Sequence, residues 1–162
     1  MPSPLELIHS TQIDTLASQP FIQIVLGSAV SWPSGYVNTP LTWPAPNVDP
    51  YGMWSAGTPT RITPRLAGYY LVIGQLDFQT SNNSGRDVDL KKNGNLGAAG
   101  AFAAQALPTI TDSYYHSVMN CSGVSFFNGT SDYFEMYPYQ VTGANLTINN
   151  TSTKITAIRI HN

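Results

Sequence analysis

A chain of 162 residues fits one domain and is long enough to bury a core. Charged residues make up only 10% of it and the formal net charge is -2, which excludes the basic face of a nucleic-acid binder and the basic amphipathic segment of a membrane-surface helix. No apolar run approaches 18 residues, so no membrane-inserted helix is expected, and Met1-Pro2-Ser3-Pro4-Leu5-Glu6 lacks the basic and apolar regions of a signal peptide.

Residues 1–20 read either as a short helix or as an extended arm. Ser3 can cap, Pro4 suits a first helical position and Glu6 completes a capping box, but the apolar pattern of Leu5, Ile8 and Leu16 is imperfect. A β domain over 21–162 is expected to follow. Phe21 to Leu26 reads as the first strand, and Ala29 to Trp32 as the second. From Pro33 to Pro59 the chain is rich in Pro, Gly and Asn, with Trp43 and Trp54 pinning an irregular path. Thr60 to Thr63 is a short strand that Pro64 stops.

Gly68 to Phe78 is the strongest strand. Tyr70, Val72, Gly74, Leu76 and Phe78 form one apolar face; Tyr69, Leu71 and Ile73 begin a second face that turns polar at Gln75 and Asp77. A second face of that kind is expected to be partly covered, with another subunit as one candidate cover. Arg86 to Lys92 alternates, with Val88 and Leu90 inward and Asp87, Asp89 and Lys91 half-solvated, and Asn93-Gly94 turns it. The Gly- and Ala-rich stretch 95–107 reads as a loop with one helical turn at most. Ser113 to Val118 and Val124 to Phe127 are strand-like, and Tyr133 to Val141 is a strand interrupted in character by Pro138. Leu146 to Ile148 and Lys154 to Ile160 close the chain. Eight to ten short strands without helical alternation predict an all-β sandwich or barrel.

No residue pattern carries chemistry, and no catalytic, cofactor-binding or metal-binding residues are assigned. His9, His116 and His161 are far apart and form no ligand motif. His116 near Asp112 suggests a base and its orienting partner, against the plainer reading of a strand residue beside a turn. Asp87 and Asp89 share a strand face, where a solvated surface competes with acid–base or calcium chemistry. Glu135 alternates with Tyr133, Tyr137 and Tyr139; it reads as a carboxylate bonded to a tyrosine hydroxyl, or as part of a sugar groove or subunit contact. A hydrolase using Glu135 with Asp87 or Asp89 is the weakest reading. Cys121, the single cysteine, reads as a small buried side chain. Six Asn-x-Ser/Thr triplets, at Asn82, Asn120, Asn128, Asn145, Asn149 and Asn150, reflect a polar surface. The 18 aromatic side chains suit interfaces as well as a core.

Several segments together resemble the C1q/TNF-like jelly-roll family. They are Ile62 to Gly74, with Pro64 and Gly68-Tyr69-Tyr70; Val88 to Gly94, ending Lys92-Asn93-Gly94; Phe127 to Gln140; and Ile155 to Ile160. The family's Gly-Asp pair is split here, Thr130 and Ser131 standing between Gly129 and Asp132. The resemblance implies two antiparallel sheets in a jelly-roll sandwich, a tight homotrimer, and binding rather than catalysis, without a cofactor. Secreted animal members carry signal peptides and often collagen stalks; similarity to Asn/Thr/Gly-rich domains of tailed-phage virion proteins fits this composition better. It implies a trimeric virion protein that decorates or stabilises a phage capsid, with the major capsid protein or another virion protein as partner and residues 1–20 as an attachment arm. The alternative is a receptor- or carbohydrate-binding tip of a head or tail fibre, with a host glycan as ligand and the loops around Trp32, Trp43 and Trp54 as its motive. The expected location is the virion.

Overall fold

The alternation that marks Gly68–Phe78 as a strand also makes it the centre of the molecule. In a computed structural model, described over residues 19–35, 38–79, 85–95, 101–107 and 116–161, nine strands run β1 Phe21–Val25, β2 Val30–Trp32, β3 Gly68–Phe78, β4 Arg86–Lys92, β5 Ala101–Leu107, β6 Ser117–Phe127, β7 Phe134–Gln140, β8 Leu146–Ile148 and β9 Lys154–His161. No helix occurs among the described residues. The helix-or-arm reading of 1–20 falls almost wholly outside them.

The strands form two antiparallel sheets. The larger has the order β1-β9-β3-β8-β2, with β6 along the other edge of β3; the smaller has the order β5-β4-β7. The inward residues of β3 (Tyr70, Val72, Gly74, Leu76 and Phe78) are all buried and face Val88, Leu90, Phe134 and Met136 across the sandwich. Gly74 permits this closeness: a Cβ there would stand 2.6 Å from Met136 Cε and 3.2 Å from Cys121 Sγ. Burying these side chains supplies the main stabilisation, at about 25 cal/mol per Å² of apolar surface.

Three expectations need correction. Ala101–Leu107 is not a loop or helical turn but strand β5, paired with β4 from Arg86–Leu107 to Lys91–Ala101 with a bulge after Leu90. Tertiary pairing overrides the helix propensity of alanine here, and Phe102 packs its ring edge-on to Phe127 and Phe134. β6 is one continuous 11-residue strand, not two pieces, because it matches β3 residue for residue through the polar stretch Asn120–Gly123. β7 runs unbroken through Pro138, which pairs with Val88. Its other edge is met at isolated points by Gly35, Leu41 and Ile62, whose hydrogen bonds reach Gln140, Met136 and Phe134. The missing N–H of Pro138 therefore falls where no regular ladder needs a donor.

The turn at 128–132 has also been rebuilt. Asn128 Oδ1 accepts from the backbone N–H groups of Thr130, Ser131 and Asp132. Gly129 sits at φ 77°, where a Cβ would be 2.4 Å from Ala67 N. Burial pushes the Asp132 carboxyl up, but hydrogen bonds from Asn93, Lys92 and the Asn128 amide outweigh it and hold the group below the usual carboxylate range.

Candidate functional site: an exposed apolar sheet face

The second face of β3 lies on the outside of the larger sheet. Parity places Tyr69, Leu71 and Ile73 there, and antiparallel register aligns neighbouring strands with them. Leu71 lies between Val124 of β6 and Ile158 of β9, and Ile158 lies beside Phe21 of β1. This row crosses four strands, about 14 Å at the usual strand spacing. At one end Tyr69 stands opposite Phe126, their rings edge-on at 5.4 Å between centroids, with the His161 ring at 6.4 Å. At the other end the face turns polar, with Gln75 between Asn120 and Lys154.

Nothing within the described chain covers the apolar part. Tyr69 is 45% exposed, Val124 51% and Ile160 52%; Ile73, Val118 and Phe126 are exposed to a similar degree. Among the described residues, six of the nine large exposed apolar side chains lie on β3, β6 and β9. Scattered exposed apolar residues need no explanation, but a contiguous patch on one face marks a contact surface.

The residues singled out for chemistry are placed differently. Glu135 is buried, with Oε2 accepting from Tyr137 Oη at 2.8 Å and Oε1 from Thr60 Oγ1 at 2.7 Å. Arg61 Nε approaches Oε1 at 3.6 Å while its guanidinium lies over Tyr133. This is the carboxylate–tyrosine bond. Burial first, and then the bond to Glu135, push the Tyr137 hydroxyl well above the usual tyrosine range. Asp87 and Asp89 do share a face, but it is less solvated than expected: Lys91 between them and Glu135 is buried, reaching Asp89 Oδ2 at 3.2 Å. Asp87 Oδ1 is buried without a hydrogen-bond partner, and burial followed by the charge of Asp89 raises its pKa. Glu135 lies alongside Lys91 rather than converging on Asp87, which pairs with Tyr139 further along the strands.

His116 finds Asp77, a partner that sequence reading missed. Its Nδ1 lies 3.2 Å from Asp77 Oδ1, and Asn149 Nδ2 donates to the same oxygen at 3.3 Å. Asp112, the expected partner, falls outside the described residues, as does His9. The two residues are 39 positions apart in sequence and meet only because β3 ends beside the start of β6. Asn149 thus donates to a carboxylate that is almost completely buried, and the His116 ring lies against it. Cys121 faces the core, where burial pushes its thiol up to about 12 and removes the thiolate a nucleophile needs.

Nor are the tryptophans displayed. Trp32 and Trp43 are 6% and 2% exposed within the core. The indole of Trp32 donates to the Pro138 carbonyl, and that of Trp54, half-buried, to the Pro59 carbonyl.

Similarity to solved structures rests on this geometry. The chain is similar to Eiger TNF from S. frugiperda (11% identity, 89% of this chain and 94% of that one covered, TM-score 0.62). It is similar to murine APRIL in a crystal structure at pH 5.0 (14% identity, 88% and 100% covered, TM-score 0.63). It is also similar to the globular domain of zebrafish complement 1qA (13% identity, 88% and 99% covered, TM-score 0.51). No family model and no curated protein matches the sequence. The fold is a TNF/C1q-type jelly roll. That likeness is a likeness of fold, carried by the two sheets rather than by shared side chains.

Proposed function

We propose that this chain is a non-catalytic structural protein that assembles as a homotrimer and decorates or stabilises a phage capsid. The observation that carries the assembly is the uncovered apolar face of β6, β3, β9 and β1, centred on Leu71. A closed ring of three uses a heterologous contact, in which this face of each copy meets a different surface of the next. A stable contact removes about 800 Å² per partner from water. The scarcity of charge lowers the desolvation cost of such a contact. The virion role is supported by the Asn/Thr/Gly-rich composition and its similarity to phage virion domains; the major capsid protein is the expected partner, with residues 1–20 as the attachment arm.

The fibre-tip reading draws no support from Trp32 and Trp43, whose rings are internal. Sedimentation of the purified chain at micromolar concentration tests the assembly: a species of about 53 kDa is expected, three times the 17.6 kDa chain, and a monomer would overturn it. Co-sedimentation with empty capsids tests the role. Saturable capsid binding supports decoration, whereas glycan-array binding without capsid binding would replace it with the tip reading.

A further inference from the structure

We propose that the end of the sandwich around the Pro64–Gly68 turn docks a short carboxylate-rich segment of a partner protein. Charges that look scattered along the sequence gather there. Register puts Ile62 beside Phe134, which sets the neighbouring Arg61 against Glu135 and Tyr133; it puts Lys91 and Lys92 beside Glu135 and Phe134, and Arg159 beside Tyr70, all at the end where Arg65 lies. Five of the chain's seven basic residues therefore share one end.

These cations are not equivalent. Lys91 and Lys92 are each neutralised by a carboxylate, Asp89 at 3.2 Å and Asp132 at 2.9 Å. Arg61 leans on Glu135, whose oxygens already accept from Thr60 and Tyr137. Arg65 and Arg159 are held by backbone carbonyls instead. Arg65 Nε donates to Gly52 O at 2.9 Å, and Arg159 Nε donates to Ala67 O at 2.9 Å. Neither has a carboxylate within ion-pair distance among the described residues. A carbonyl fixes the direction of a guanidinium without cancelling its charge, so both groups are pre-oriented and still cationic.

Both arginines address the same turn. Arg65 belongs to it and Arg159 binds its Ala67; Tyr70 Oη fastens it further by donating to Leu66 O at 2.9 Å. Leu66 is 42% exposed in the same turn. Two fixed guanidinium groups about an exposed leucine suit carboxylates set around an apolar side chain. A long polyanion fits less well, because Asp77, Asp87 and Asp89 lie on strands leading away from this end and the whole chain carries a net charge of -2. The site goes beyond the proposed assembly and does not require it.

The test uses the full chain and a fluorescein-labelled octapeptide of glutamates around one leucine, followed by fluorescence anisotropy at low salt and at 0.15 M salt. Saturable binding is expected, weaker at the higher salt. Arg65→Glu should weaken it at least tenfold and Arg159→Gln severalfold, while Lys154→Glu, on the far half of the face, should leave it unchanged. Arg65 is held by a surface hydrogen bond to Gly52 O, so its variant should melt and sediment like the wild type; unchanged peptide binding by Arg65→Glu would overturn the proposal, whatever its sedimentation. Absence of saturable binding at either salt, or equal weakening by Lys154→Glu, would overturn the proposal. Tighter binding of a heparin fragment than of the peptide would overturn it in favour of a polyanion site.

Discussion

The outer faces of the two sheets are opposites. That of the smaller sheet is built from Asp87, Asp89, Lys91, Glu135 and Tyr137, yet Lys91, Glu135 and Tyr137 are buried. Thr60 and Arg61 close over it, and its charges are matched within the chain except at Asp87, whose buried Oδ1 has no hydrogen-bond partner. That of the larger sheet is built from Tyr69, Leu71, Ile73, Val124 and Phe126 and stays half-open. Polar side chains have been withdrawn from water where they can satisfy one another, and apolar ones left in it where nothing in the chain can cover them. A buried polar face whose groups satisfy one another, as these do at all but Asp87, needs no second molecule to complete it. An exposed apolar face is not, and it is the face that calls for a second molecule.

The sharpest way to break this contrast is to charge the open face. Val124→Asp puts a carboxylate beside Leu71, and assembly should weaken about 100-fold or more, read by sedimentation velocity across a concentration series. Because the side chain is 51% exposed, the fold itself should lose little more than about 0.5 kcal/mol. Unchanged assembly would remove the face from the interface. Opening the closed face acts the other way. Glu135→Ala strips the partners from Thr60 and Tyr137 hydroxyls and should cost about 1–3 kcal/mol of stability, seen as a fall in Tm of several degrees, with assembly of the folded fraction retained.

The smallest effect concerns Asp87. Burial and then Asp89 raise its pKa in the folded chain above the ordinary 3.8. The folded state thus holds this proton more tightly than the unfolded one, and the ionised carboxylate weakens the fold at any pH above the folded pKa. Asp87→Asn should therefore raise Tm modestly at pH 7, and the gain should vanish as pH falls below 3.8. Equal gains at both pH values would mean that the substitution acts through packing rather than charge.

Much of this architecture was legible in residue order. Period-two alternation located β3 and β4 to the residue, and it separated the two faces of β3 before any partner strand was known. The departures have local causes. Alanine and glycine carry little pattern, so β5 read as a loop until pairing with β4 decided it. Asn120 to Gly123 break the apolar alternation of β6, which is held by register with β3 rather than by its own side chains. The candidate face was half visible, in Tyr69, Leu71 and Ile73, whereas its continuation onto Val124, Ile158 and Phe21 depended on strand order.

By itself the sequence determined an all-β chain, an inner apolar face on β3 and an outer one that begins apolar and ends polar, because these are properties of side chains along one strand. Only the tertiary structure decided which distant residues meet. It paired His116 with Asp77, sent Trp32 and Trp43 inward, sealed Glu135 beneath Thr60, and gathered Arg61, Arg65 and Arg159 at one end. Those are facts of register and of loops crossing between strands, and long-range register is set by the whole packed sandwich rather than by any local run of residues.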